Sequence, residues 1–328
     1  MEIIEAVRAN LLSPAVLFFA LGVLAAVAKS DLRFPEPLYA GLTIYLLVAI
    51  GFKGGVAFAE AGFAQVWLPA TAAIVLGALI PLWTYPVLRF AGKLPAVDAA
   101  AIAAHYGSVS AVTFIAATNY LTAIGQSYES YASAFLAVME SPAILVGVVL
   151  GKMAAQKAGQ TQTAGSLRQV AHEALFGRSV VLLVGALVVG ALSGSAGMKK
   201  VEAFFVTSFQ GVLALFLLEM GLVAGRRLSD LRKVGFFLLG FGIVVPLVNG
   251  AVGVWLGHIT GLSLGGAALL GVLAASASYI AAPAAIRLSL PDANPTLSLT
   301  AALAITFPFN LTLGIPYCLA LARWLYSS

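Results

Sequence analysis

The sequence predicts an all-α integral membrane protein that crosses the membrane ten times. Hydrophobic residues make up 61% of the 328 residues and charged residues only 9%, whereas soluble domains carry about 25% charged residues. Apolar blocks of bilayer length fill the chain from Leu11 to Leu325, with one sizeable polar interruption at Lys152–Arg178. About 20 helical residues cross the hydrocarbon core, whereas barrel strands are shorter and alternate, so the blocks predict helices.

The apolar blocks divide into two sets of five spans. The first five are Leu11–Ala28, Pro37–Ala59, Phe63–Phe90, Val97–Ile124 and Tyr131–Gly151. The last five are Ser179–Gly197, Val201–Gly225, Lys233–Gly257, Leu264–Leu288 and Leu297–Leu325. A cleaved signal peptide is the alternative for the first span, but Glu2 and Glu5 beside a single Arg8 are unlike a basic leader. We therefore expect the span to be retained.

Basic residues predict the orientation, because Lys and Arg beside short loops stay on the cytoplasmic side. Most of the 18 basic residues fall beside alternate loops, namely those around Lys29, Arg89, Lys152, Arg226 and Arg287. An even number of spans with this bias places both termini outside. The basic pI of about 9.3 thus reflects topology and requires no nucleic-acid partner.

Local features recur between the two halves at offsets of 165 to 170 residues. The matches are Gly51-x-x-x-Gly55 with Gly221-x-x-x-Gly225, Pro81 with Pro246, Asp98–Ser110 with Gly266–Ser278, and Pro142 with Pro308. Two copies of five spans enter the membrane from opposite faces, as in the inverted repeats of secondary transporters. Chance similarity is the alternative, but the shared order favours a repeat. The predicted organisation is a repeat over 1–151, a cytoplasmic linker over 152–178 and a second repeat over 179–328.

Small, hydroxyl-bearing interruptions lie midway along the fourth and ninth spans. They contain Gly107, Ser108, Ser110 and Thr113 in one half, and Ser276, Ser278 and Pro283 in the other. Glycine and proline weaken a helix, and the free N–H groups that begin the next half-helix favour an anion. The sequence therefore predicts two discontinuous helices that hold a small oxyanion. Close helix packing by small residues is the alternative, and recurrence in both halves favours the site.

A coupling cation is also predicted. Accumulating an anion against a negative-inside potential costs about 2.3 kcal/mol per charge per 100 mV. Glu140 lies mid-span, where a carboxylate is costly to bury, and Thr306 and Asn310 offer neutral oxygen atoms in the equivalent helix. These three residues form the predicted sodium site. A protonated, hydrogen-bonded Glu140 is the alternative.

Other polar residues within the spans have structural explanations. Lys53 can extend to the interface, and Glu219 can pair with Arg226 or Arg227. His105 adjoins the first interruption, where a packing role is the simpler reading and a proton relay the alternative. The sequence has no His-Glu-x-x-His, phosphate-binding loop or nucleophile elbow, so nothing in it predicts an enzyme or a bound cofactor.

The chain resembles the sodium-dependent bicarbonate transporters of the SbtA type, known from cyanobacterial carbon concentration. The resemblance rests on Ser276–Arg287, Pro291–Pro295, Thr306–Asn310, Gly107–Thr113, Glu140-Ser141-Pro142, Leu218–Gly221 and Leu231–Val234. It covers nearly the full length and keeps the order of the motifs. It differs at Glu140, where we expect an aspartate before isoleucine–proline, and in a linker shorter than in cyanobacterial members.

The resemblance implies ten helices in core and gate subdomains, a homotrimer in the bacterial cytoplasmic (inner) membrane, and inward co-transport of sodium and bicarbonate. Family binding residues carry over onto Gly107, Ser108, Val109, Ser110, Thr113, Ser276, Ala277, Ser278 and Tyr279. A soluble PII-like protein inhibits the cyanobacterial members from the cytoplasmic side, and the short linker leaves that partner open.

Four functions remain open from the residues alone. The first is a sodium-coupled bicarbonate importer, and the second is a proton-coupled exchanger that uses Glu140 and His105. The third is a passive anion channel, and the fourth is a membrane receptor or scaffold. Serine hydroxyls and amide donors suit acetate, nitrate and sulfite as well as bicarbonate.

Overall fold

A computed structural model describes residues 12–157, 172 and 176–327, and this part of the chain consists of helices and short connections, without a β-strand. The first half contains α1 (Pro14–Val27), α2 (Glu36–Ala61), α3 (Phe63–Ala91), α4 (Ala96–Gly107), α5 (Ala111–Ala123) and α6 (Ser133–Lys157). The second half contains α7 (Arg178–Glu202, continued by Ala203–Thr207), α8 (Phe209–Arg227), α9 (Leu231–Ile259), α10 (Leu264–Ala275), α11 (Ala281–Ser289) and α12 (Pro295–Ser327). The predicted all-α fold is confirmed.

Eight helical stretches in the described ranges are long and apolar enough to cross a membrane. They are α2, α3, the α4–α5 pair, α6, α7, α8, α9 and α12. The helices α1 and α10 are apolar but shorter. The protein is therefore a multi-pass membrane protein, and the total of ten spans stays a prediction.

Close glycine contacts join the first two helices of each half to those of the other half. Gly221 and Gly225 of α8 pack on α1 at Phe19 and Val23, and Gly51 and Gly55 of α2 pack on α7 at Leu183 and Leu187. A Cβ at any of these glycines would lie no more than 3.0 Å from a carbonyl oxygen of the neighbouring helix. The two matched Gly-x-x-x-Gly patterns thus make equivalent contacts in the two halves.

Glycines also allow α3 to approach α6 and α9 to approach α12. Gly77 faces Met139, and Gly242 faces Ile305, and an added Cβ at either glycine would lie 2.7 Å from its neighbour. This pair was not predicted from the sequence, although its offset of 165 residues equals that of Pro81 and Pro246. The two halves therefore repeat a second kind of helix contact.

Two predicted boundaries differ from the structure. Residues 198–200, predicted to separate the sixth and seventh spans, are helical, and the chain bends instead at Gly194, whose φ is 58°. The pair Lys199 and Lys200 suggested a loop because both residues are charged, yet they lie on the exposed side of a helix whose apolar side packs on Phe52 through Met198 and Val201. At the predicted linker, α6 continues to Lys157.

Other parts of the predictions lie outside the described residues. These parts are the leader Met1–Asn10, Leu11 at the start of the first predicted span, residues 158–171 and 173–175 of the predicted linker, and Ser328.

Carboxylates tie the start of each broken helix to the opposite half. Glu129 accepts hydrogen bonds from the Ser263 backbone N–H at 2.6 Å and the Ser263 hydroxyl at 2.9 Å, just before α10. Asp98, in the first turn of α4, accepts from the Asn294 N–H at 2.7 Å, just before α12. Because each bond links one half to the other at opposite ends of the bundle, the two halves are fastened near both ends.

We predict that Glu129→Ala lowers the free energy of unfolding by about 1–3 kcal/mol, because it removes two hydrogen bonds to a charged acceptor. Thermal unfolding of the purified protein in detergent measures this effect. Glu60→Ala is the matched control, since Glu60 is exposed at the end of α2. Equal unfolding temperatures for the two variants would contradict the fastening role.

Candidate functional site

The first helix break separates α4 from α5. The helix α4 ends at Gly107, and the chain is extended at Ser108 and Ser110 before α5 begins at Ala111. The Ser110 hydroxyl accepts a hydrogen bond from the Thr113 N–H at 3.1 Å and so caps α5. A Cβ at Gly107 would collide with the Pro81 ring of α3, so only glycine allows this close approach.

The second break separates α10 from α11. The helix α10 ends at Ala275, and the Ser276 hydroxyl donates to the Leu273 carbonyl at 2.7 Å. The Ser278 hydroxyl accepts from the Ala282 N–H at 3.2 Å, at the start of α11. Pro283 lies in the first turn of α11, where its missing N–H would have no helical partner. Both breaks thus occur within the predicted interruptions.

The two breaks are hydrogen-bonded to each other. The Ser110 N–H donates to the Ser276 hydroxyl at 2.9 Å, and the Ser278 N–H donates to the His105 carbonyl at 2.8 Å. Each break therefore supplies an acceptor for a backbone donor of the other, and residues 166 or more positions apart form one cluster. The predicted anion residues Gly107, Ser108, Val109, Ser110, Thr113, Ser276, Ala277, Ser278 and Tyr279 are all buried.

Several hydrogen-bond donors converge at this cluster. The helices α5 and α11 both begin here, and the first N–H groups of a helix have no acceptor within it. Each helix start also carries a partial positive charge of roughly 0.5. The Ser108 hydroxyl is fully buried and has no hydrogen-bond partner within the described structure. Unused donors and positive helix ends in one buried place form an environment suited to a small anion.

Only two of the three predicted sodium residues make hydrogen bonds to the ends of the broken helices. Thr306 shares a hydrogen bond with the Tyr106 hydroxyl at 2.7 Å and donates to the Gly242 carbonyl at 2.8 Å. Asn310 donates to the Ala275 carbonyl at 2.8 Å and keeps a buried, unpartnered side-chain oxygen. Both therefore contact the ends of broken helices. Glu140 is buried on α6, and no hydrogen bond in the described ranges joins it to Thr306 or Asn310.

Two other polar residues lie within the spans, namely Glu219 and Lys53. Glu219 is buried on α8, and its Oε2 atom has no hydrogen-bond partner in the described structure, so its pairing with Arg226 or Arg227 stays a prediction. Lys53 is exposed, with its ammonium 5.5 Å from the centre of the Phe209 ring. Neither residue lies at the helix breaks.

A tyrosine that was not predicted from the sequence joins the anion cluster to the predicted sodium residues. Tyr106 is buried on α4 directly before the first break and bonds to Thr306 on α12. Its position next to Gly107 was the only available signal, because nothing in the sequence pairs it with a threonine 200 residues away. The bond links the predicted anion cluster to one of the predicted sodium residues.

A cavity of about 300 Å³ reaches the cluster from one side of the bundle. Its walls come from α2, α8 and α12, with Glu36, Tyr39, Glu219, Arg227, Leu299 and Leu303 among the lining residues. Tyr279, in the second break, lines it as well. A water molecule occupies about 30 Å³ of liquid volume, so the cavity has room for a hydrated small ion.

A comparison with protein families shows which family this chain belongs to. Residues 14–323 match the model of the Na⁺-dependent bicarbonate transporter superfamily. The chain belongs to this superfamily. The resemblance seen in the sequence is therefore confirmed over nearly the whole length, and no curated protein sequence matches the chain.

We predict different effects on stability for substitutions of two serines of this superfamily member. Ser110→Ala removes a helix cap and lowers the free energy of unfolding by about 0.5–2 kcal/mol. Ser108→Ala removes a buried hydroxyl that has no partner, so it leaves stability unchanged or raises it. Thermal unfolding without added anion measures both changes. A loss in Ser108→Ala as large as that in Ser110→Ala would mean that Ser108 serves packing rather than ligand binding.

Proposed function

We propose that this protein imports bicarbonate together with sodium by alternating access. Membership of the superfamily supports the two substrates. The observation that carries the proposal is the meeting of two helix breaks, each bonded to the other, around an unused buried serine hydroxyl. Broken helices whose ends face each other are the usual site of substrate and ion binding in secondary transporters.

The proposed architecture is a ten-span inverted repeat, in which α1 and the α10–α11 pair complete the eight longer stretches. One repeat covers 1–151 and the other 179–328, joined by the cytoplasmic linker 152–178. The matched glycine contacts of the two halves support this arrangement. The gate subdomain consists of α1, α2, α7 and α8, in which α1 pairs with α8 and α2 pairs with α7. The remaining helices form the core subdomain, which contains both breaks.

The proposed anion site uses groups from both breaks. Ser108 donates its free hydroxyl, and the first N–H groups of α5 and α11 provide further donors. Two positive helix ends compensate a single negative charge without a buried cationic side chain. Ser110, Ser276 and Ser278 orient the backbone through the bonds that they make across and within the breaks.

The proposed sodium site lies beside the anion site on α12 and α6. Asn310 offers an oxygen without a partner, Thr306 adds a hydroxyl oxygen, and Glu140 supplies the negative charge. Hard cations of this kind prefer oxygen ligands. Asn310 and Thr306 both contact the broken helices, so a bound sodium ion would stabilise the arrangement that binds the anion.

The proposed setting is a homotrimer in the bacterial cytoplasmic membrane, with both termini outside. Basic residues support the orientation, since Arg89 and Arg226 bond to backbone carbonyls of Leu94 and Leu32 at the same end of the bundle. Only 17% of the most apolar stretch of α7 is buried, so this helix faces lipid or another subunit. A PII-like protein is a candidate regulator at the basic end.

A proton-coupled exchanger is the second candidate function. The observation that favours it is the buried Nε2 atom of His105, which has no hydrogen-bond partner in the described structure. Its Nδ1 atom lies 2.7 Å from the Ala101 carbonyl, so Nδ1 donates and Nε2 is left as an acceptor. Nε2 is thus the ring atom that can take up a proton.

We predict that purified protein in liposomes accumulates radiolabelled bicarbonate only under an inward sodium gradient. Ser108→Ala abolishes uptake by weakening the anion site, and Glu140→Ala abolishes the response to sodium. Glu60→Ala, an exposed position, retains normal uptake. Bicarbonate uptake that follows a pH gradient and ignores sodium would contradict the proposal and favour the exchanger. Uptake that only equilibrates, without accumulation under either gradient, would point to a channel.

A further inference from the structure

Tyr279 lies between the 300 Å³ cavity and the first helix break. Tyr279 lines the cavity, and its buried hydroxyl lies near the Ser110 side chain and has no hydrogen-bond partner in the described structure. Only 8% of the residue is exposed, so most of its surface is covered by neighbours. One side chain therefore contacts both the cavity and the proposed anion site.

Aromatic side chains pack against the Tyr279 ring. The ring lies 5.4 Å from Phe307 of α12 in an edge-to-face arrangement, and Phe307 lies 5.2 Å from Phe19 of α1 in the same manner. Aromatic pairs of this geometry contribute about 0.5–1.5 kcal/mol beyond their buried area. The chain of rings therefore runs from the second break to α1 and holds Tyr279 in place while α1 stays near α12.

The cavity on the far side of Tyr279 is suited to a hydrated ion. Arg227 and Glu36 line it, as does Glu219, which comes about two turns before Arg227 in α8. Its volume accommodates several water molecules, whereas the cluster beyond Tyr279 is buried. Tyr279 belongs to both the cavity wall and the second break, so its ring lies on the route from this cavity to the cluster.

We propose that Tyr279 is a thin gate, a single side chain that closes the path between the cavity and the helix breaks. The gate opens by rotation of the ring away from Ser110 and closes when the ring again packs on Phe307. The inference rests on the proposed function in that the breaks hold a transported anion. It assigns Tyr279 the role of a barrier, which does not depend on the identity of that anion or of the coupling ion.

A single cysteine beside the ring tests the barrier. Ser110→Cys places a thiol next to the Tyr279 hydroxyl, in a background where the buried native thiol is removed by Cys318→Ala. The rate of modification by a small, charged methanethiosulfonate is measured on purified protein in detergent. Val223→Cys in the same background is the positive control, because Val223 lines the cavity on the near side of the ring.

Removing the ring should open the path, whereas removing only the hydroxyl should not. We predict that Tyr279→Ala raises the modification rate of the Ser110→Cys thiol at least about tenfold, since the rate follows the fraction of molecules in the open state. Tyr279→Phe leaves the rate within about twofold by the same relation. The control thiol reacts quickly in all backgrounds. Tyr279→Leu is measured as well, so that poor folding of the alanine variant does not remove the test, and it gives an intermediate rate.

Equal rates for the Ser110→Cys thiol with tyrosine, leucine and alanine at position 279 would overturn the proposal. So would a rate in Tyr279→Phe as high as in Tyr279→Ala, because the hydroxyl rather than the ring would then form the barrier. The measurement uses neither bicarbonate nor sodium, so its failure is distinct from a failure of sodium-driven uptake.

Discussion

The reciprocal hydrogen bonds between the two helix breaks are the interaction on which the rest of the structure depends. Backbone donors and acceptors inside a membrane must find partners within the protein, because lipid supplies none. The Ser110 N–H and the His105 carbonyl find theirs in the opposite break, at 2.9 and 2.8 Å. Each helix break is therefore stable only when the other helix is also broken at the same depth. This mutual requirement creates a polar site in an apolar bundle.

The surrounding helices hold the breaks together by close approach rather than by strong polar bonds. Gly107 packs against the Pro81 ring, and Gly77 and Gly242 bring α3 and α9 close to α6 and α12. Glu129 and Asp98 then fasten the outer ends of the broken helices to the opposite half. Dispersion between closely packed backbones is a main source of helix association in membranes, so these glycines matter more than their small size suggests.

Much of the fold was predictable because its signals are local. Apolar length predicted the helices, and Gly107 and the paired serines predicted where α4 and α10 end. The bend at Gly194 was not predicted, because the charged pair Lys199 and Lys200 favours a loop a few residues later, although an exposed helix face carries charge equally well.

The bonds that build the site were not predictable in the same way. The bond between Tyr106 and Thr306 depends on which helices are neighbours in space, and no local pattern encodes that. The burial of Glu140 followed from its mid-span position, whereas a neighbour from another helix cannot be deduced from the sequence. The sequence therefore indicated the residue types of the candidate site better than their partners.

The transported anion is expected at one location, between the two helix breaks. An experimental structure of the protein in lipid nanodiscs with sodium bicarbonate would test it most directly. We expect density for a small anion between the starts of α5 and α11, within about 2.7–3.2 Å of the Ser108 hydroxyl and of backbone N–H groups. Anion density beside Arg227 in the cavity, with the helix breaks empty, would contradict this location.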